Sequence, residues 1–341
     1  MEANQKGNIV GFLKQRGFDD KTISEMFRKC KRLDNASEER AISNWNYLIS
    51  TGIPTRKLPS IVSKCPKILV LGLYEKLEPM VECLKTLATK PNDVASAIAK
   101  FPHILSHSIE EKLCPLLAFF QGLGVPEKEL GRLILLNPRL ISYSIESKLC
   151  PIVSFFSSLG FKREGEIGKI FVKNPYVMGY SVEKRLRPTS EFLREIGLNE
   201  ENLQRVAVNY PDVLCRDVKV LIPNLEFLKG CGLGVREIVV LIAGFPPVLI
   251  KSVKNSLDPR IRFLVDVMGR RLEEVAEFPE FFKHGLKKRI EFRYRLVREK
   301  SSGCSLSELF GCNQKKFALK FGLLQSIKEP RERAEKAVFT I

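Results

Sequence analysis

The chain has 341 residues, 44% of them hydrophobic and 28% charged, with 56 Lys and Arg against 39 Asp and Glu for a formal net charge of +17. That is too much apolar material for a disordered chain, and no run of 18 or more apolar residues is present to span a bilayer. A basic excess of this size self-repels until a polyanion neutralises it, so nucleic acid is the first partner to expect and an anionic membrane surface the second.

The N-terminal MEANQKGNIV has the pattern of neither a secretory signal nor an Arg/Ser-rich transit peptide. Length alone favours two domains, yet no Gly/Ser-rich or Pro-rich linker interrupts the sequence. One continuous body is therefore expected over residues 1–300, with a closing segment and tail over 301–341.

Proline sets the organisation. Pro66, Pro102, Pro138, Pro175, Pro211, Pro246 and Pro279 are separated by 36, 36, 37, 36, 35 and 33 residues. Two and three residues after each anchor the chain is apolar, as in Ile104/Leu105, Leu140/Ile141 and Val248/Leu249. A second proline follows twelve or thirteen residues after the anchor (Pro79, Pro115, Pro151, Pro188, Pro223, Pro259), then bulky pairs such as Phe119-Phe120 and Phe155-Phe156. Gly124, Gly160, Gly197 and Gly232 close that segment. Upstream the pattern decays, with Cys30 in the proline slot, as suits an N-terminal cap.

Each unit reads as two antiparallel α-helices plus a short third turn. The second proline fits the first position of a helix, where its missing N–H costs nothing. Glycine supplies the left-handed residue that ends that helix. PEKELGRLILLN then forms a second amphipathic helix, stopped by the next anchor, and Ser108 caps the turn between. No single unit can bury its apolar face, so neighbours must stack. The fold class is all-α, a curved helical-repeat solenoid of about eight to nine units.

The strings FPHILSHSIEEKLCPLLAFFQGLG, NPRLISYSIESKLCPIVSFFSSLG and NPYVMGYSVEKRLRPTSEFLREIGL resemble the mitochondrial transcription termination factor (mTERF) family. FPEFFKHGLKKRIEFRYRLV, followed by CSLSELFGCNQKKFALKFG, is similar to the closing segment of plant organellar members, and the resemblance covers residues 8 to 322. It departs at Phe292, which stands where the last unit would carry its second proline. The resemblance implies a superhelix with two α-helices and a short 3-10 helix per repeat. It also implies an organelle protein that binds double-stranded DNA or structured RNA in transcription termination, transcript-end control, splicing or ribosome assembly. Its end motifs point to the chloroplast first and the mitochondrion second.

In a solenoid, equivalent positions line one face. Ten residues after the anchor stand Lys76, Lys112, Lys148, Arg185 and Arg289, and six before it Arg132, Lys169 and Arg205. Such columns suit a phosphate backbone, each contact releasing counterions, and equally suit a solvated helix face. Five residues after the anchor come His107, Tyr143, Tyr180, Arg216, Lys251 and His284, planar or cationic groups able to stack on bases. The run from Lys283 to Lys300, with Lys287, Lys288, Arg289, Arg293 and Arg295 interleaved by Phe292 and Tyr294, is the strongest single candidate.

No P-loop, GxSxG or HExxH motif is present, and the three histidines form no nucleophile or metal constellation, so no enzyme, cofactor or metal is expected. The nine cysteines lack CxxC pairs; Cys114 and Cys150, each before a second proline, read as small packed residues rather than disulfides or zinc ligands. Eight or nine units with helices 8–10 Å apart give a contour of roughly 80 Å, or about 20–25 base pairs at ~3.4 Å each. The expected action is a monomer that holds duplex DNA and halts a polymerase by slow release. Binding of structured RNA is the alternative, and a protein-interaction scaffold the second.

Overall fold

The computed structural model describes residues 2–298 and 303–323, with side chains from residue 9 onward. All regular structure among these residues is helical, and the chain packs as two compact units, Met1–Val182 and Glu183–Ile341.

The repeat of the first unit is exemplified around Pro102. The helix Asp93–Lys100 ends at Phe101, whose extended backbone (φ −142°, ψ 81°) is what a residue before proline prefers. The 3-10 helix Pro102–Ser106 follows, burying Ile104 and Leu105 completely. Ser108 then caps a new helix, its hydroxyl accepting from the Glu111 amide at 3.2 Å. That helix begins as a π-helical turn, Ile109–Leu113, and runs without a break into the α-helix Cys114–Gly122.

The second proline therefore does not start a helix. It lies six residues inside one, where an α-helical path would drive its ring into the carbonyl four residues back. The π turn relieves this. The Leu113 amide skips back to Ser108 O (3.2 Å) and the Cys114 amide to Ile109 O, a wider loop just ahead of Pro115. The same turn precedes Pro79, Pro151, Pro188 and Pro259, and also Phe292, so proline is not its only source.

Sequence spacing records these turns. From N-cap to closing glycine, Ser37 to Gly52 and Asp217 to Gly232 are fifteen residues apart, and both helices are α throughout. Ser108 to Gly124, Ser144 to Gly160 and Ser181 to Gly197 are sixteen apart with one π turn each. Ser252 to Gly269 is seventeen apart and contains two, Val253–Leu257 and Phe263–Val267. The glycines hold left-handed φ, and Gly124 (φ +73°) is doubly constrained, since a Cβ there would lie 2.7 Å from the Gly165 amide nitrogen.

The N-terminal region is a full repeat, one residue out of the expected register. Cys30 (φ −142°, ψ 87°) matches Cys65 (φ −133°, ψ 73°), the residue before an anchor, and Lys31 opens the 3-10 helix Lys31–Asn35 in the proline's place. Cys114 is exposed and Cys150 half-buried, against the expectation of packing, because the first residue of each α segment faces outward. Cys30, Cys65 and Cys215 are the packed thiols, and burial pushes Cys65 up to about 11 and Cys215 up to about 12. No disulfide joins any of the nine.

Successive repeats are tied by a recurring joint. At five anchors the carbonyl five residues on, at the end of the short turn, receives a side-chain donor from the preceding repeat. In the first unit Asn44 Nδ2 donates to Leu71 O (2.9 Å) and Lys148 Nζ to Tyr180 O (2.6 Å). In the second, Thr189 Oγ1 donates to Arg216 O (2.8 Å), Asn224 Nδ2 to Lys251 O (2.7 Å) and Arg260 Nε to His284 O (2.9 Å). Lys148 lies ten residues past its anchor; the other donors sit thirteen past the anchor position when no π turn intervenes (Asn44, Asn224) and fourteen when one does (Thr189, Arg260). Buried carbonyls with no partner would cost more than these bonds contribute, so the joint fixes how repeats stack.

Candidate nucleic-acid interface

The cations ten residues after the anchor divide in two. Lys112 is exposed. Lys148 is half-buried, its ammonium on the carbonyls of Gly179 and Tyr180 and 5.9 Å from the Tyr143 ring centre, and desolvation lowers its pKa. Arg185 pairs with Asp217 at 2.7 Å, binding the N-cap of the next long helix. These two cations therefore hold neighbouring turns. Of those six before the anchor, Lys169 is exposed, Arg132 lies 3.4 Å from Glu129, and Arg205 donates to Ala243 O at 3.3 Å.

The planar and cationic groups five residues after the anchor have a local cause. Three of them pack on an aromatic residue just before their own anchor. His107 stacks on Phe101 (6.5 Å), His284 on Phe278 (5.9 Å), and the Lys251 ammonium sits 5.6 Å from the centre of Phe245. Desolvation leads the lowering of His107 and Lys251 and takes His284 down to about 4, with Arg289 adding repulsion there. Tyr143 is half-buried and raised by desolvation, whereas Tyr180 and Arg216 are exposed.

The C-terminal basic run is not one exposed face. Arg293, 1% exposed, donates to Leu309 O (2.9 Å) and lies 4.4 Å from the Phe317 ring centre; burial lowers its pKa. Arg289 donates to the carbonyls of Phe310 (2.6 Å) and Cys312 (2.7 Å). Both clamp the closing helices Leu306–Phe310 and Gln314–Lys320 onto the last repeat. As readings of a contact surface, Arg289 and Arg293 are corrected: their donors point inward at carbonyls left over by helix ends. Lys287, Lys288 and Arg295 are exposed, Arg295 pairing with Glu291 at 3.3 Å, and Tyr294 donates to Val267 O at 3.1 Å. Lys300 lies outside the described residues.

Two columns beside the anchor escaped the sequence reading. Two residues before it stand Lys29, Lys64, Lys100 and Lys173, all exposed, with Leu136 in the remaining repeat. One residue after it stand Arg32, Lys67 and Arg139, joined by His103 and Tyr176, again all exposed. The columns adjoin: Lys29 Nζ reaches Ser63 O in the next repeat (3.2 Å) and Tyr176 Oη donates to Leu136 O in the preceding one (3.2 Å). Lys29, Lys64, Lys67 and His103 line one shallow cleft, and Lys100, Arg139 and Tyr176 another, without an acidic residue in either. Desolvation, then the nearby charges of Lys29 and Arg139, lower His103.

Among the described residues no group of three or more His, Cys, Asp and Glu is arranged to hold a metal ion, and no helix is long and apolar enough to cross a membrane. Stacked helix pairs, a proline-led 3-10 turn in nearly every unit and a side-chain tie to the next turn's carbonyl define an all-α, proline-anchored repeat protein. The chain belongs to the mTERF family, whose sequence model matches residues 10–318. It is 62% identical over 325 residues, 94% of this chain and 98% of the relative, to transcription termination factor MTERF6, chloroplastic/mitochondrial, of Arabidopsis thaliana. A 50-residue stretch, 15% of this chain and 10% of each relative, is 44% identical to transcription termination factor MTERF4, chloroplastic, of Oryza sativa subsp. japonica and 42% identical to that of Zea mays.

Proposed function

We propose that this protein is an organellar nucleic-acid-binding factor that holds double-stranded DNA and so terminates or regulates transcription, by binding alone and without a chemical step. The observation that carries the reading is the end-to-end likeness to a relative named as a transcription termination factor. The net charge of +17 supports a polyanionic partner. The chloroplast, the mitochondrion or both are the compartments proposed, from the same relative's name.

The exposed Lys112, Arg132, Lys169, Arg205, Arg216, Lys287, Lys288 and Arg295 are the contact candidates that the sequence offered and that face solvent. Tyr180 is exposed as well and suits stacking on an unpaired base. If some 6–8 phosphates are neutralised, log affinity falls with log salt at a slope near −5 to −7. Titration of about 25-base-pair duplex DNA at several salt concentrations tests this, with RNA of equal length as competitor. A flat salt response overturns the reading; RNA that displaces the duplex at equal concentration moves it to structured RNA.

A further inference from the structure

The two columns beside the anchor change character at a single point in the chain. Through the repeat of Pro175 they are basic or aromatic in every position but Leu136. From Pro211 onward the same two positions hold Asn209 and Asp212, then Gly244 and Pro247, then Glu277 and Glu280. Neither unit's total charge explains this, since residues 1–182 contain 26 basic and 18 acidic residues and residues 183–341 contain 30 and 21. The surplus is of similar size and differently placed.

Nor does the fold of the first unit require the cations. Position +10 needs a donor for a neighbouring carbonyl in places, and Lys148 supplies it. Beside the anchor only part of the columns has such a reason: Lys29 donates to Ser63 O, whereas the clefts lined by Lys64, Lys67, Lys100 and Arg139 contain no carboxylate and these four residues are exposed. Like charges at one edge of successive repeats repel one another, a cost that bound phosphates would reverse.

We infer that this edge of residues 1–182 is a phosphate ladder, gripping the sugar-phosphate backbone of the bound nucleic acid, while the corresponding edge of residues 183–341 does not touch it. The inference rests on the nucleic-acid reading above and says where along the chain the backbone lies. Five rungs, separated by four gaps of about 8–10 Å, the usual separation of packed helices, extend over roughly 32–40 Å, or about nine to twelve base-pair steps at ~3.4 Å. A ladder reading phosphates carries no sequence information, so it sets register and leaves base contacts to other side chains.

The test uses the full chain and three proteins: wild type, a ladder variant (K64Q, K67Q, K100Q, R139Q) and a charge-matched control (K219Q, R236Q, K254Q, K316Q) whose four residues are exposed in the second unit. Each is titrated with about 25-base-pair duplex DNA and with RNA of equal length across a salt series, after thermal melts establish equal folding. The ladder variant is expected to lose at least 100-fold in affinity near physiological salt and to flatten the slope by about 3 to 4, with the control within about fivefold of wild type. Equal weakening of ladder variant and control overturns the ladder and leaves nucleic-acid binding standing. Absence of salt-dependent binding by wild type to either probe overturns the function itself and the ladder with it.

Discussion

In residues 183–341 the Arg260 guanidinium holds the His284 carbonyl, Arg289 and Arg293 hold the closing helices, and Arg185 pairs with Asp217. In residues 1–182 a similar surplus stands at the edge of the turns, where Lys64, Lys67, Lys100 and Arg139 face water. Both units hold some carbonyls with cations, Lys29 and Lys148 among them in the first, but only the first also lines its anchor turns with exposed ones. A net charge therefore identifies a class of partner, whereas only the positions of carbonyl acceptors tell which cations are left to meet it.

The sharpest way to break this comparison is at the second unit's carbonyl-holding cations. Arg293→Ala is expected to cost about 3 kcal/mol, because it removes a buried charged donor and leaves the Leu309 carbonyl and the Phe317 ring facing a void. Urea unfolding would measure it, and a change under 1 kcal/mol would return Arg293 to the surface set. Asn44→Ala and Asn224→Ala come next, each deleting two hydrogen bonds of 2.7 to 2.9 Å to buried or part-buried carbonyls of the next repeat. Each is expected to cost about 2 kcal/mol, and matching losses would establish that the joints of the two units are alike even though their edges differ. Ser108→Ala should cost about 1 kcal/mol through its lost cap.

The remaining effect is one of pH. His284 is held down to about 4 against an ordinary value of 6.5, so the unfolded chain binds its proton first as pH falls. Stability from this group is complete above about 6.5 and is lost progressively between 6.5 and about 4. Following the urea midpoint over that window in wild type and in His284→Phe would check the sign, since the variant should have the shallower pH dependence.

Much of the architecture was legible because proline and glycine act locally. Each of the seven proline anchors opens a short turn, 3-10 in six and a tight α turn, Pro211–Leu214, in the other, and the closing glycines fall at left-handed φ. The interface was less legible. Arg293 and Arg295 lie two residues apart on one short helix, hence on different faces, and nothing in their identity separates the buried one from the exposed one. The ladder columns were present in the same register as the anchors. They lie within two residues of an anchor position, where turn geometry and not a helical face decides what points outward. The π turns were written in plain sight, in the twelve- or thirteen-residue step from anchor to second proline: Pro223, at twelve, is the one within an uninterrupted α-helix.

Those widened turns give the chain a way to absorb length errors. One extra residue in an α-helix would swing everything downstream by about 100°, carrying Phe120 or Phe156 out of the interior they fill. Storing the surplus residue in a local bulge cancels that rotation, so helices whose cap and glycine lie fifteen, sixteen and seventeen positions apart present the same side to their neighbours. A one-residue deletion at Ile109–Leu113 should leave a helix of the Val218–Gly230 type, whereas the same deletion within Glu127–Leu136 has no slack to draw on and should scramble the packing.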